Sequence, residues 1–251
     1  MIYYRSMQLQ EPLFLQHFMT VNGNRGEMIN LTFLENRGTG KKVTGIQFEE
    51  FPQLRFTLGD DNSYQYHVVR KAYAEWRPDE AQAMGVKKEP LTVREATVYY
   101  SEGEPKRVPI GEIGIEWSEY GGLLQSVSSS SSSNGAGSNT VTMRKPATLE
   151  AVDYRYRDQL APWFRLELSG RPIEEAALPM ELSAGDPLSF AYQWSIPDDS
   201  PASLRVYESE MLLTFRTEEG ERVTESLPIN YNQYFSESQL KRLVRSGGET
   251  E

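Results

Sequence analysis

Hydrophobic and polar residues alternate along much of the chain. In "QLRFTL", Leu54, Phe56 and Leu58 fall on one side of an extended backbone and Gln53, Arg55 and Thr57 on the other. "YQYHVVRKAYAEW" groups Tyr64, Tyr66, Val68, Ala72, Ala74 and Trp76, with His67 opposite them. "LSFAYQWSI" groups Leu188, Phe190, Tyr192, Trp194 and Ile196. Successive strand side chains point to opposite faces, so a period of two predicts strands with one buried and one wet face. "ATVYY" (Ala96 to Tyr100) and "MLLTF" (Met211 to Phe215) predict two more. Clusters of Gly, Pro, Asn and Asp interrupt these runs at short intervals, as in sandwiches and barrels.

A helical period is rare. "RPDEAQAMG" has Pro78 at a first helical position and Gly85 as a stop, which predicts a short helix. The C-terminal "FSESQLKRLVRSGG" predicts a helix over Glu237 to Arg245. Ser236 and Gln239 have capping-box spacing, Leu240, Leu243 and Val244 form an apolar stripe, and Gly247 and Gly248 end it.

Several stretches recur in order. "GDDNSYQY" from Gly59 and "GDPLSFAY" from Gly185 share the pattern G-D-x-x-S-[YF]-x-Y. Ahead of them, "FPQLRFTL" matches "LPMELSA", and "INLTFLENRG" matches "WFRLELSGRP". Behind them, "EATVYYSEGEPKRVPI" matches "SEMLLTFRTEEGERVTESLPI": strand, Glu/Gly turn, then a strand ending in Pro-Ile. The ordered set predicts a tandem duplication, with an insertion around Pro78 to Pro90 in the first copy. Each copy has room for roughly seven strands in about 100 residues, which suits two packed sheets. The expected fold is therefore all-β: two tandem immunoglobulin-like β-sandwich domains and a short C-terminal helix. The likeness is architectural, since the Cys…Trp…Cys spacing of true immunoglobulin domains is absent.

"SSSSSSNGAG", Ser128 to Gly137, lies near the midpoint. Serine and glycine give a flexible coil that buries nothing, and the position between repeats favours an interdomain segment. The flanking "GGLLQSV" and "NTVTMRK" are themselves strand-like, so the run could instead tip a hairpin. The expected division is 1–122 for the first sandwich, 123–147 for the Ser/Gly-rich linker or hairpin, 148–235 for the second sandwich and 236–251 for helix and tail.

Composition narrows the function. A length of 251 residues with 38% hydrophobic and 11% aromatic residues is that of a folded protein. A net charge of −10 supplies no basic footprint for nucleic acid. The absence of cysteine removes thiolate nucleophiles, disulfides and cysteine-based metal sites. No apolar run approaches the ~18 residues of a membrane helix, and "MIYYRSMQLQ" has no signal-peptide pattern. Membrane attachment would then come through an anchor preceding Met1, and Tyr3, Tyr4 and Arg5 suit the edge of a membrane segment.

Candidate chemistry is sparse. "GTGKKVTG" (Gly38 to Gly45) fails the phosphate-loop patterns because Glu35, Lys42 and Val43 stand at required positions, and it reads as a hairpin turn. His17 and His67 are expected on strands, at the surface or half-buried, too far apart for a zinc site. Glu49/Glu50, Glu174/Glu175 and Glu218/Glu219 read as solvated pairs, and adjacent strand residues diverge. Asp60, Asp61 and Asn62, and Asp198 and Asp199, are oxygen-rich turns that miss the calcium-loop pattern. "NLT" at Asn30 is a glycosylation sequon. No metal or cofactor is expected.

The aromatics remain. Trp117 and Tyr120 lie in "EWSEYGG", and Tyr154, Tyr156 and Trp163 in "DYRYRDQLAPWF" beside Arg155 and Arg157. Exposed on one face, they would stack on sugar rings or on a partner's apolar patch. The expected function is non-enzymatic: an extracytoplasmic binding or scaffolding protein of bacterial type, with a protein or glycan partner. Two other readings stand beside it, a glycan-binding module using the exposed Tyr and Trp, and a carboxylate-based hydrolase with a groove between domains.

Overall fold

The computed structural model describes residues 8–79, 87–117, 122–231 and 234–245. Seventeen strands are placed among them. The first eight are β1 (Leu13–Phe14), β2 (Gln16–Asn22), β3 (Glu27–Asn36), β4 (Val43–Gln47), β5 (Thr57–Ser63), β6 (His67–Trp76), β7 (Leu91–Tyr100) and β8 (Lys106–Glu116). Then come β9 (Leu124–Ser131), β10 (Ala136–Met143), β11 (Ala147–Tyr154), the helical turn α1 (Arg157–Leu160), β12 (Phe164–Leu168), β13 (Arg171–Pro172) and β14 (Met180–Leu182). Last are β15 (Pro187–Trp194), β16 (Arg205–Thr217), β17 (Arg222–Asn230) and helix α2 (Glu237–Arg245). The helix expected over "RPDEAQAMG" falls mainly on residues 80–86, outside the described ones.

The chain forms two compact units. The first holds the chain up to Trp117, together with Pro197–Val206 and the segment from Phe235 onward. The second holds Ser118–Ile196 and Tyr207–Tyr234.

In the first unit, one sheet has the order β1-β3-β6-β5 and the other β2-β8-β7-β4. In chain order this puts strands A, B, E and D on one sheet and C, F and G on the other, the immunoglobulin arrangement. The core lies between them: Ile29, Leu31, Phe33, Ala72, Ala74 and Trp76 from one sheet meet Met19, Val21, Val93, Val98, Ile113 and Ile115 from the other. The face of "AYAEW" expected to be buried is the buried one, because period-two alternation leaves the backbone no other way to hide Ala72, Ala74 and Trp76.

The first strand changes sheets at Leu15. β1 pairs antiparallel with β3, while β2 runs parallel to β8. His17 sits at this switch with 0% exposure. Its Nε2 accepts from the Thr32 amide of β3 at 2.8 Å, so its Nδ1 donates to the Ile110 carbonyl of β8 at 2.9 Å. The neutral imidazole thus bridges both sheets, and burial pushes its pKa down to about 4. This corrects the expectation of a surface or half-buried side chain: His17 and His67 are both buried. Opposite His17, Gly111 has φ +96°, and a Cβ there would meet the His17 backbone at 2.2–2.3 Å.

The second unit repeats the plan. One sheet has the order β13-β12-β15-β10-β9; in the other, β11 lies between β14 and β16, with β17 on β16. Strands β9, β10, β15 and β12 stand as A, B, E and D, and β11, β16 and β17 as C, F and G. Leu188, Phe190, Tyr192 and Trp194 of β15 and Met211, Leu213 and Phe215 of β16 are all buried. The last hairpin recurs down to register. Glu95 pairs with Pro109 across β7–β8, and Glu210 with Pro228 across β16–β17. Each hairpin turns through a glycine of positive φ, Gly103 or Gly220, and each Pro precedes a fully buried isoleucine, Ile110 or Ile229. The other sequence matches fall on non-equivalent places: "INLTFLENRG" lies on β3, the second strand of its unit, but "WFRLELSGRP" on β12, the fourth.

Three other expectations change. Residues 128–133 are not an interdomain coil, since β9 and β10 pair with each other, Ser131 with Gly137 and Leu124 with Met143. Backbone hydrogen bonds to β10 hold the run extended, and the Asn134 side chain and Gly135 (φ +84°) shape the turn. The "GTGKKVTG" turn is not a hairpin either: it carries the chain from β3 in one sheet to β4 in the other. Asp60 to Asn62 lie within β5 as a bulge rather than a turn.

Helix α2 occupies the expected residues. Ser236 Oγ accepts from the Gln239 amide at 3.2 Å and Gln239 Oε1 accepts from the Ser236 amide at 2.7 Å, a complete capping box. Its Leu240 and Leu243 pack with Leu15, Leu34, Val69 and Leu204.

Candidate functional site

The outer face of the β1-β3-β6-β5 sheet is apolar at both ends but covered at only one. Leu34 and Val69 pair in register and lie buried under Leu204, Leu240 and Leu243. Further along, Asn30 pairs with Tyr73 and Met28 with Glu75. There Met28 is 45% and Tyr73 40% exposed, diagonal neighbours on one face.

The chain from Phe51 to Thr57 forms the facing wall. Phe51 and Leu54 anchor it in the core, and the Leu54 amide donates to the Phe51 carbonyl at 3.0 Å. Alternation then turns Gln53, Arg55 and Thr57 outward. Between this wall and the sheet lies an open groove of about 670 Å³, lined chiefly by Met28, Leu54, Arg55, Tyr73, Glu75 and Arg77. That volume is within the range of ligand-binding clefts. Buried Trp76, packed edge-on to Phe51 at 4.9 Å, stiffens the floor. Arg55, Glu75 and Arg77 supply its charged lining, and Arg77 meets Glu75 at 2.5 Å.

Two smaller hollows carry several charged side chains each. One, of about 370 Å³, gathers Glu49, Glu50, Arg94, Glu95 and Arg107. Arg107 is ion-paired there with Glu49 and, at 3.8 Å, with Glu95. The other, about 440 Å³, holds Asp198, Asp199, Lys241, Arg242 and Arg245, and Arg242 donates to the Asp198 carbonyl.

Carboxylates elsewhere are exposed or engaged. Glu49/Glu50, Glu174/Glu175 and Glu218/Glu219 are all exposed. Buried Glu35 accepts from the Val43 amide at 2.6 Å and lies 3.4 Å from Arg70, and buried Glu225 accepts from the Leu123 amide at 2.6 Å. Lys106 and Lys41 hold Glu11 below the ordinary carboxylate range, and Arg216 and Arg222 do the same for Glu150. Among the described residues no cluster of three or more His, Asp or Glu could hold a metal ion.

The aromatics singled out in the sequence are not gathered on one exposed face. Trp117 is half-buried in the first unit; its Nε1 donates to the Glu89 carbonyl at 3.0 Å and its ring packs edge-on to Trp76 at 6.0 Å. Tyr120 lies outside the described residues. Tyr154, at the end of β11, is buried against Phe164 at 4.8 Å. Tyr156 is half-buried at the start of α1 with φ 59°, and half-buried Trp163 follows its end. The groove residues went unnoticed because each is ordinary alone. The signal was Tyr73, an aromatic on the wet face of a strand whose other face fills the core.

No protein-family model matches the chain, and no curated protein matches it. Among solved structures, a chimeric titin Z1Z2 functionalised with a KLER peptide from decorin is 13% identical, with 88% of this chain and 96% of that chain covered and a TM-score of 0.23. The titin domains Z1Z2 in complex with telethonin are 11% identical, covering 86% and 94%, with a TM-score of 0.23. A protein of unknown function from Porphyromonas gingivalis W83 is 10% identical, covering 88% and 96%, with a TM-score of 0.24. Scores this low add nothing to the strand order as grounds for the immunoglobulin-like fold.

Proposed function

We propose that this protein is a non-enzymatic binding or scaffolding protein whose first unit receives a segment of a protein partner in the groove beside Tyr73. One observation carries this reading: Met28 and Tyr73 stay exposed over a concavity walled by an anchored loop, while the Leu34–Val69 end of the same sheet face is covered. Exposed apolar side chains gathered at a concavity mark interaction sites. An extracytoplasmic placement belongs to the same proposal and rests on the tandem β-modules alone; fractionation of cells making the tagged full-length protein tests it.

The groove itself is tested with indole and p-cresol, stand-ins for Trp and Tyr side chains, by saturation-transfer NMR on the whole chain. Both are expected to bind, with the signal lost in a Met28→Lys/Tyr73→Lys double variant that keeps its thermal midpoint. Equal signals from the folded double variant would overturn the site. A hydrolytic activity abolished by substituting one carboxylate would overturn the non-enzymatic reading.

A further inference from the structure

We infer that β9, the outermost strand of the β13-β12-β15-β10-β9 sheet, pairs antiparallel with β9 of a second copy of this chain. The backbone is the first ground. The Ser132 carbonyl accepts from the Gly135 amide at 3.1 Å, and the Ser132 amide donates to the Ala136 carbonyl at 2.8 Å. These two bonds close the hairpin and set the phase of its ladder. Antiparallel bonding alternates along a strand, so Ser130 and Ser128 bond to β10 as Ser132 does to Ala136, and the Ser129 N–H and C=O face away from β10. Outward groups of this kind are the template on which a further strand adds. Every residue from Gln125 to Asn134 is exposed, on both faces of the strand, which leaves the edge open to a partner.

The second ground is what β9 lacks. Sheets keep their edges from pairing with charge, proline, bulges or very short strands. The other outer strands follow that rule. The sequence of β5 includes Asp60 and Asp61, and that of β17 includes Arg222, Glu225 and Pro228. β4 has five residues and a bulge, and β1, β13 and β14 have two or three residues each. β9 has eight residues with neither charge nor proline, and its one bulge, at Val127, leaves Ser128 to Ser131 in unbroken register with β10. Charge also selects the partner. Two copies of a chain of net charge −10 repel, and they meet at least cost where no charge lies. Residues 121–143, which include β9 and β10, hold no Asp, Glu, Lys or Arg. Antiparallel pairing about a two-fold axis sets the serine run against itself. Its hydroxyls can bond across strands there as Ser130 Oγ and Ser138 Oγ do within the hairpin, at 2.9 Å.

An edge this short buries less than a standard interface of ~1,600 Å², so the dimer is weak and grows with concentration. Sedimentation equilibrium of the whole chain from ~10 μM to ~1 mM tests it, alongside amide exchange read residue by residue. A monomer–dimer equilibrium is expected, with exchange at Ser129 slowing as the dimer fills while Ser130 is protected throughout. Ser129→Pro removes an N–H that β10 does not use, and Ser129→Lys adds a charge on each side of the two-fold axis. Each folded variant should dimerise at least ~10-fold more weakly. A chain that stays monomeric throughout, leaving the edge to another protein's strand, would overturn the inference. So would a dimer that folded Ser129→Pro or Ser129→Lys leaves intact, or one that forms without slowing exchange at Ser129.

Discussion

His17 is a side chain the fold uses as a structural bolt, and its chemistry makes that use testable. The Thr32 amide can only donate, so the imidazole must stay neutral at Nε2 to receive it. A proton added there would remove the acceptor and place a charge in a fully buried site. The folded pKa is depressed from 6.5 to about 4, so the unfolded chain binds the proton first as pH falls. His17 therefore contributes its full stabilisation above pH ~6.5 and loses it progressively down to pH ~4, about 3 kcal/mol in all. Urea unfolding of wild type and His17→Gln between pH 7 and 4 should show a shallower pH dependence in the variant; parallel curves would contradict the bolt. The neighbouring Gly111 gives a second prediction. Its positive φ and the 2.2 Å approach to the His17 backbone leave no space for a methyl group, so Gly111→Ala should cost at least ~2 kcal/mol in the same assay.

At the scale of elements, the terminal helix and the serine hairpin teach opposite lessons. The helix was legible because its cap, stripe and stop agree, and each does in the fold what its residue type suggests. Leu240→Ala should cost about 3 kcal/mol through the cavity left against Leu34 and Val69, and Ser236→Ala about 1 kcal/mol through the lost cap, both read from urea unfolding. The serine run misled because composition reports what side chains can bury, whereas β9 is held by its backbone. The turn signal was present in Asn134-Gly135, between the strand-like "GGLLQSV" and "NTVTMRK". Amide exchange separates the two cases: alternate amides among residues 125–131 should be protected through bonds to β10, and coil-like exchange along the whole run would contradict the hairpin.

For the whole molecule, alternation made the two-sheet build readable, and the recurring Glu–Pro register of the last hairpins supports duplication more firmly than the G-D-x-x-S-[YF]-x-Y motif does. Unit membership was not readable in the same way. Pro197–Val206 and the terminal helix belong to the first unit because Leu204, Leu240 and Leu243 complete its apolar face, and no local pattern announces such long-range packing. The same holds for the groove, which gathers residues from β3, from β6 and from the loop after β4. Its role is tested most directly by labelling the methionine methyl groups with carbon-13 and following the spectrum of the whole chain during titration with p-cresol. The Met28 methyl resonance is expected to move first and furthest while those of Met143, Met180 and Met211 stay in place. Saturable binding that shifts any of those three and leaves Met28 unmoved would contradict a function based in the groove.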